Sequence, residues 1–115
     1  MTNILIIEDN FDVRQLIKGE VEDLVDQLFE SEDGSQAVEL YRKHHPDWVL
    51  MDLSIKDVDG LTTTRQIKSA YPEALICIVT NYDDEYLREE AHAAGASAFV
   101  SKSDLFLLRS IVTNH

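Results

Sequence analysis

The chain has 115 residues and a formal net charge of -12, with 44% apolar and 28% charged residues. That size and balance fit one folded domain, 1–115, with a real core, and they exclude a disordered segment. A chain so acidic lacks the basic face that direct DNA or RNA binding requires. It suits a cation, or a basic patch on a partner.

The first strand is predicted at Asn3-Ile-Leu-Ile-Ile7, a short β-branched apolar run that ends on Glu8-Asp9. No basic region precedes it and it is far too short to span a bilayer, so a cytoplasmic protein without membrane association is expected. Asn10 or Asp9 is suited to cap the helix that follows. Val13, Leu16, Ile17, Val21 and Leu24 keep a helical period over about 11–24. Residues 26–30 read as a weak second strand, polar enough to lie near an edge. Asp33-Gly34-Ser35 forms a turn, and Ala37, Val38 and Tyr41 mark a second helix that stops before Pro46.

Trp48-Val-Leu-Met51 is a continuous apolar run, the pattern of a strand buried on both faces, and it ends on Asp52. An Asp-rich loop closes with Asp59-Gly60. Leu61, Thr64, Ile67 and Tyr71 predict a third helix, ended by Pro72. A fourth strand over 74–80 contains the lone Cys77, read as a buried thiol, and ends on Thr80. Asp83 and Asp84 are candidate caps for a fourth helix with Leu87, Ala91 and Ala94 inside, stopped by Gly95. The fifth strand, 97–100, leads to Lys102, and Ser103 is the predicted cap of a fifth helix with Leu105, Leu108 and Val112 inside.

Five alternations of strand and helix imply right-handed crossovers and a parallel sheet covered on both faces. The expected fold is a doubly wound, flavodoxin-like α/β domain with strand order 2-1-3-4-5, whose ligand crevice lies at the carboxyl ends of the strands. Glu8 and Asp9, Asp52, Thr80 and Lys102 all fall on that edge. Three neighbouring carboxylates repel and call for a cation. Oxygen ligands without His or Cys suit Mg²⁺. A carboxylate beside Mg²⁺ and a lysine is equipped to attack a phosphoryl group and form an aspartyl phosphate.

At this point the chain resembles the response regulator receiver domains of two-component signalling. The resemblance runs over essentially its whole length. The pieces that carry it are Ile-Leu-Ile-Ile-Glu8-Asp9, Asp-Trp-Val-Leu-Met-Asp52-Leu-Ser-Ile, Asp59-Gly60, Val79-Thr80 and Gly95-Ala-Ser-Ala-Phe99-Val-Ser-Lys102. The resemblance implies that Asp52 is the phosphoacceptor. It implies that Asp9 and Asp52 bind Mg²⁺ directly, with the Ser54 backbone carbonyl, while Glu8 acts mostly through water. Thr80 and Lys102 would contact the phosphoryl oxygens, and Phe99 takes the aromatic switch position. The implied partners are a histidine kinase or phosphotransfer protein upstream and an output domain or protein downstream, reached through the helix 4–strand 5–helix 5 face.

The sequence departs from the family pattern at Ile55-Lys56, where Met-Pro is usual, at Ser103, where proline is usual, and at Asn81, where a very small residue is usual. Asn81 and Tyr82 are expected to shield the phosphoryl group and slow its hydrolysis. Three other readings compete. A phosphatase of the haloacid dehalogenase type would need an acid where Ser54 stands. A flavodoxin-like cofactor carrier would need a phosphate loop where Glu8-Asp9-Asn10-Phe11 stands. The last is a docking module that is never phosphorylated.

Overall fold

The computed structural model describes residues 2–53, 59–81 and 84–113. Five parallel strands form one sheet: β1 (Asn3–Ile7), β2 (Gln27–Ser31), β3 (Trp48–Asp52), β4 (Ile76–Thr80) and β5 (Ala98–Ser101), in the order β2-β1-β3-β4-β5. This is the expected topology, with its switch point between β1 and β3. The polar second strand is indeed an edge strand. It runs one residue later than expected and ends on the buried Ser31.

The helices are α1 (Phe11–Val21), α2 (Ala37–His44), α3 (Gly60–Ala70), α4 (Glu85–Ala94) and α5 (Leu108–Thr113). Side chains alternate across the strands, so each strand feeds two cores. Ile4, Ile6, Leu50, Val79 and Val100 meet Ile17 and Val21 of α1 and Leu108 and Val112 of α5. Leu5, Ile7, Val49, Met51 and Ile78 meet Tyr41 of α2, Ile67 of α3 and Ala91 of α4. Cys77 lies in the first of these cores, where burial pushes its thiol up to about 12.

Local chemistry sets the helix ends. Asn10, not Asp9, caps α1, its Oδ1 accepting from the Val13 N–H at 3.0 Å. Asp84 caps α4 in the same way through the Leu87 N–H, at 2.8 Å; Asp83 lies outside the described residues. Gly95 ends α4 with φ of 106°, a left-handed conformation that glycine adopts without steric cost.

Three expectations are corrected. α1 ends at Val21 and continues to Leu24 as a 3₁₀ turn, Glu22–Leu24. Leu16, counted with the inner face, is 61% exposed, because the buried stripe of α1 is only as wide as Ile17 and Val21. Ser103 does not cap α5. The chain leaves β5 directly into a 3₁₀ segment, Lys102–Leu107, whose cap is Ser101, accepting from the Ser103 N–H. Leu105 is partly buried beside the core, and only Leu108 and Val112 of the predicted face are fully inside. The described peptide bonds, including the one before Ser103, are all trans.

Candidate functional site

Parallel pairing brings the carboxyl ends of β1, β3, β4 and β5 together. β1 continues its ladder one step past Ile7, with the Glu8 N–H donating to the Ser31 carbonyl at 3.0 Å. That bond turns the Glu8 side chain inward, where it is 1% exposed. Its Oε2 accepts from the Asn10 N–H at 3.1 Å. Asp9, the next residue, points to solvent. Asp52 is the last residue of β3 and is 5% exposed. Thr80 closes β4 and is also buried.

Lys102 follows β5 at the bend into the 3₁₀ segment. Ser101 fixes that bend, its hydroxyl lying 2.8 Å from the Ser103 hydroxyl. The Lys102 Nζ then sits 2.8 Å from Oε1 of Glu8 and 3.2 Å from Oδ1 of Asp52. The contact with Glu8 is a short, buried ion pair. One ligand oxygen from each of Glu8, Asp9 and Asp52 lies within 4.8 Å of the others. Three carboxylates against one ammonium leave a local charge of about -2, which matches a divalent cation.

The electrostatics reflect this crowding. Burial pushes the Glu8 carboxyl up, and the Asp52 charge adds to the rise. The Lys102 ammonium and the Asn10 N–H work against it without cancelling it. Burial pulls Lys102 down, but its bond to Glu8 and the charge of Asp52 outweigh burial, and its ammonium is held above the usual lysine value. Lys102 therefore stays charged throughout the neutral range.

These side chains line a cleft of about 200 Å³, with Asn81 on its rim. A larger cleft, about 450 Å³, opens beside the end of β2. Two of its lining charges, Arg14 and Glu30, pair with each other, and Lys18 pairs with Glu30 as well.

The structure thus brings together Glu8, Asp9, Asp52, Thr80 and Lys102, as the sequence predicted. Ser54 lies outside the described residues. Phe99 does not line the cleft. It packs against the core under α4, with the Arg88 guanidinium 4.7 Å from its ring centre. Its strand lies beside the one that carries Thr80, with Ile78 paired to Phe99 and Thr80 to Ser101.

Two contributors escaped the sequence reading. Arg14 donates from Nη1 to the Glu8 carbonyl at 2.8 Å, bracing the backbone of the acidic pair from α1. Only its position one turn into the helix hinted at that reach. Gly60 was read as the end of the Asp-rich loop, yet it is buried against the backbone of Asp52.

Comparison with known proteins identifies the family. The profile of the response regulator receiver domain matches residues 4–112. The chain is similar to the chemotaxis protein CheY of Bacillus subtilis (strain 168), 35% identical over 100 residues, covering 86% of this chain and 83% of that protein. It is also similar to the transcriptional regulatory protein DegU of Brevibacillus brevis, 33% identical over 101 residues, but there the match covers 86% of this chain and 43% of the relative. Among solved structures, a LuxR-family two-component response regulator from Aurantimonas superposes with a TM-score of 0.86 at 28% identity, covering 100% of this chain and 88% of that one. The BeF3-activated N-terminal receiver domain of Klebsiella pneumoniae RstA shares the fold, with a TM-score of 0.85 at 23% identity over 99% of this chain and 100% of that one. With its sheet order, its acidic strand ends and these likenesses in accord, the chain belongs to the response regulator receiver domain family of two-component signalling.

Proposed function

We propose that this receiver accepts a phosphoryl group on Asp52 from a histidine kinase or phosphotransfer protein. The observation that carries the reading is the position of Asp52, buried at the end of the central strand with its carboxylate 3.2 Å from the Lys102 ammonium. In the transfer, an Asp52 carboxylate oxygen forms the new bond to phosphorus. The bond from phosphorus to the donor's imidazole nitrogen breaks, and its electron pair stays on that nitrogen. Lys102 holds positive charge where the phosphoryl oxygens arrive, which favours the transition state. The Thr80 hydroxyl lies at the end of the neighbouring strand, in reach of the same cleft.

The donor set fits Mg²⁺, since Glu8, Asp9 and Asp52 all offer oxygen donors; Asp9 and Asp52 would hold the ion directly and Glu8 mostly through water. When bound, the ion neutralises charge on the phosphoryl oxygens. The chain modifies itself and turns over no separate substrate, and a docking module without phosphorylation would have no need of the paired charges of Lys102, Glu8 and Asp52. Exposed Phe11 and Leu16 on α1 and Phe106 and Leu107 on the 3₁₀ segment that packs beside it offer an apolar surface to a protein partner. We place the protein in the cytoplasm. No described helix is long and apolar enough to cross a membrane.

Readout passes through Thr80 and Phe99. A hydrogen bond from Thr80 to the phosphoryl group is a contact present in only one state, which a population shift requires. The ring of Phe99 follows into the space released, altering the α4–β5–α5 face for an output domain or protein.

The test uses wild type and Thr80→Ala with a small phosphodonor and Mg²⁺, reading intact mass and amide resonances together. Both proteins should gain one phosphate, and only wild type should shift its α4–β5–α5 resonances. A wild type that gains no phosphate contradicts the acceptor reading, and a normal shift in Thr80→Ala contradicts the readout.

A further inference from the structure

We propose that Gly60 is a positioning residue for the phosphoacceptor: the first turn of α3 is seated directly on the Asp52 peptide, and only a residue without a side chain permits it. The proposal rests on the reading of Asp52 as the acceptor. Gly60 is buried and opens α3. Its N–H donates to the Leu53 carbonyl at 2.9 Å, which ties the helix to the residue after the acceptor. A Cβ placed on Gly60 would lie 2.9 Å from the Leu53 Cα and 3.0 Å from the Asp52 carbonyl carbon, and closer still to the Asp52 carbonyl oxygen. All three are backbone atoms, so no flexible side chain could swing away.

The helix is held in place by its core face, with Ile67 fully buried and Leu61 packed beside it, and its first turn cannot deform to make room, because four bonds within the turn and its cap keep it rigid. The Asp59 carboxylate accepts from the Thr62 N–H at 2.8 Å and from the Thr62 hydroxyl at 3.0 Å. The Thr63 hydroxyl donates to the Asp59 carbonyl at 3.0 Å, and the Thr64 hydroxyl to the Gly60 carbonyl at 2.7 Å. Thr63 and Thr64 are fully buried. Strain from an added methyl group therefore falls on the other partner of the contact, the Asp52 peptide. The Asp52 carboxylate then turns away from the Lys102 ammonium.

A displacement of about 1 Å at a reacting group costs up to roughly 100-fold in rate. Gly60 touches no reactant and acts through Asp52 alone. Its φ is not in the left-handed region, so the requirement is for closeness and not for an unusual backbone conformation.

The experiment compares wild type, Gly60→Ala and Ile17→Val for thermal unfolding and for the maximal rate of phosphorylation at saturating small phosphodonor and Mg²⁺. Ile17→Val trims the core on the opposite face of the sheet and serves as a destabilised control. Under conditions where each protein is folded, Gly60→Ala should phosphorylate about 10- to 100-fold more slowly at unchanged half-saturation for the donor, and Ile17→Val at the wild-type rate. A folded Gly60→Ala with the wild-type maximal rate overturns the proposal. So does an Ile17→Val that slows in proportion to its lost stability, because the effect is then one of stability alone. If Gly60→Ala does not fold, Thr64→Val takes its place: it keeps the branched shape, removes the hydroxyl bond to Gly60, and should slow the maximal rate, whereas an unchanged rate overturns the proposal. Failure of wild type itself to label on Asp52 would instead refute the acceptor reading.

Discussion

The two edges of the sheet carry the same kind of residue and use it in opposite ways. At the amino edge, Asp47 and Asp26 each form a reciprocal pair with the neighbouring chain. The Asp47 carboxylate accepts from the Asn3 N–H at 2.7 Å while its own N–H donates to the Asn3 carbonyl at 2.7 Å. Asp26 and Thr2 repeat the arrangement at 2.8 and 2.7 Å. These carboxylates satisfy backbone donors and hold strand starts in register. At the carboxyl edge, three carboxylates converge within 4.8 Å and two of them share the Lys102 ammonium. Their lone pairs stay available for a metal ion and for phosphorus. A carboxylate spent on the backbone builds the fold, whereas carboxylates crowded round one cation store electrostatic cost that a ligand relieves.

Substitutions that separate the two edges test this contrast. The largest expected effect is on Mg²⁺ affinity in Asp9→Asn, which removes one charge of the cluster. Titration should show a loss of about tenfold or more, roughly 1.4 kcal/mol, with little loss of fold stability because Asp9 is exposed. Equal affinity in the two proteins would remove Asp9 from the metal set. Asp47→Ala should behave in the reverse manner. Leaving the Asn3 N–H without its acceptor should cost about 1–2 kcal/mol in chemical denaturation, while Mg²⁺ affinity and phosphorylation stay at wild-type levels. A drop in either would mean that the amino edge is not merely architectural.

The smallest expected effect concerns the cap of α3. Asp59→Ala should cost about 1 kcal/mol and Asp59→Asn almost nothing, since Asn caps as well as Asp. The Thr62 N–H, with the Thr62 hydroxyl, the Leu61 N–H and Arg65, holds the Asp59 carboxyl below the usual aspartate value of 3.8, against burial. A lowered folded value means that the charged cap's contribution is complete above 3.8. It is lost as the pH falls through the lowered value. The gap between wild type and Asp59→Asn should therefore stay flat well above 3.8 and change only as the pH falls from there toward the lowered value. A gap that changes between pH 5 and pH 8 would contradict the assignment.

The same contrast explains how much was legible in the sequence. Strand interiors such as Trp48–Met51 announce themselves by composition, and in a parallel sheet every strand end falls on one edge, so Glu8, Asp9, Asp52, Thr80 and Lys102 could be grouped without coordinates. The caps at Asn10 and Asp84 follow from residue type. Ser103 failed as a cap because the chain turns into a 3₁₀ segment one step earlier, and Ser101, which the structure makes the last residue of β5, is nearer to the bend. Leu16 failed because periodicity marks which residues share a face and not how wide the covered stripe is. Arg14 and Gly60 were invisible as site residues for a common reason. Each acts on the backbone of another element, through Glu8 or Asp52, and such contacts exist only after α1 and α3 dock on the sheet.

The central claim is that among the crowded carboxylates only Asp52 becomes phosphorylated. The direct measurement is to phosphorylate the protein with a small donor and Mg²⁺, reduce the acyl phosphate with borohydride, and sequence the peptides by mass. Reduction converts the phosphorylated aspartate to homoserine. The account predicts homoserine at position 52 alone, and none in Asp52→Asn. Reduction at Glu8 or Asp9, or label that survives Asp52→Asn, would contradict it.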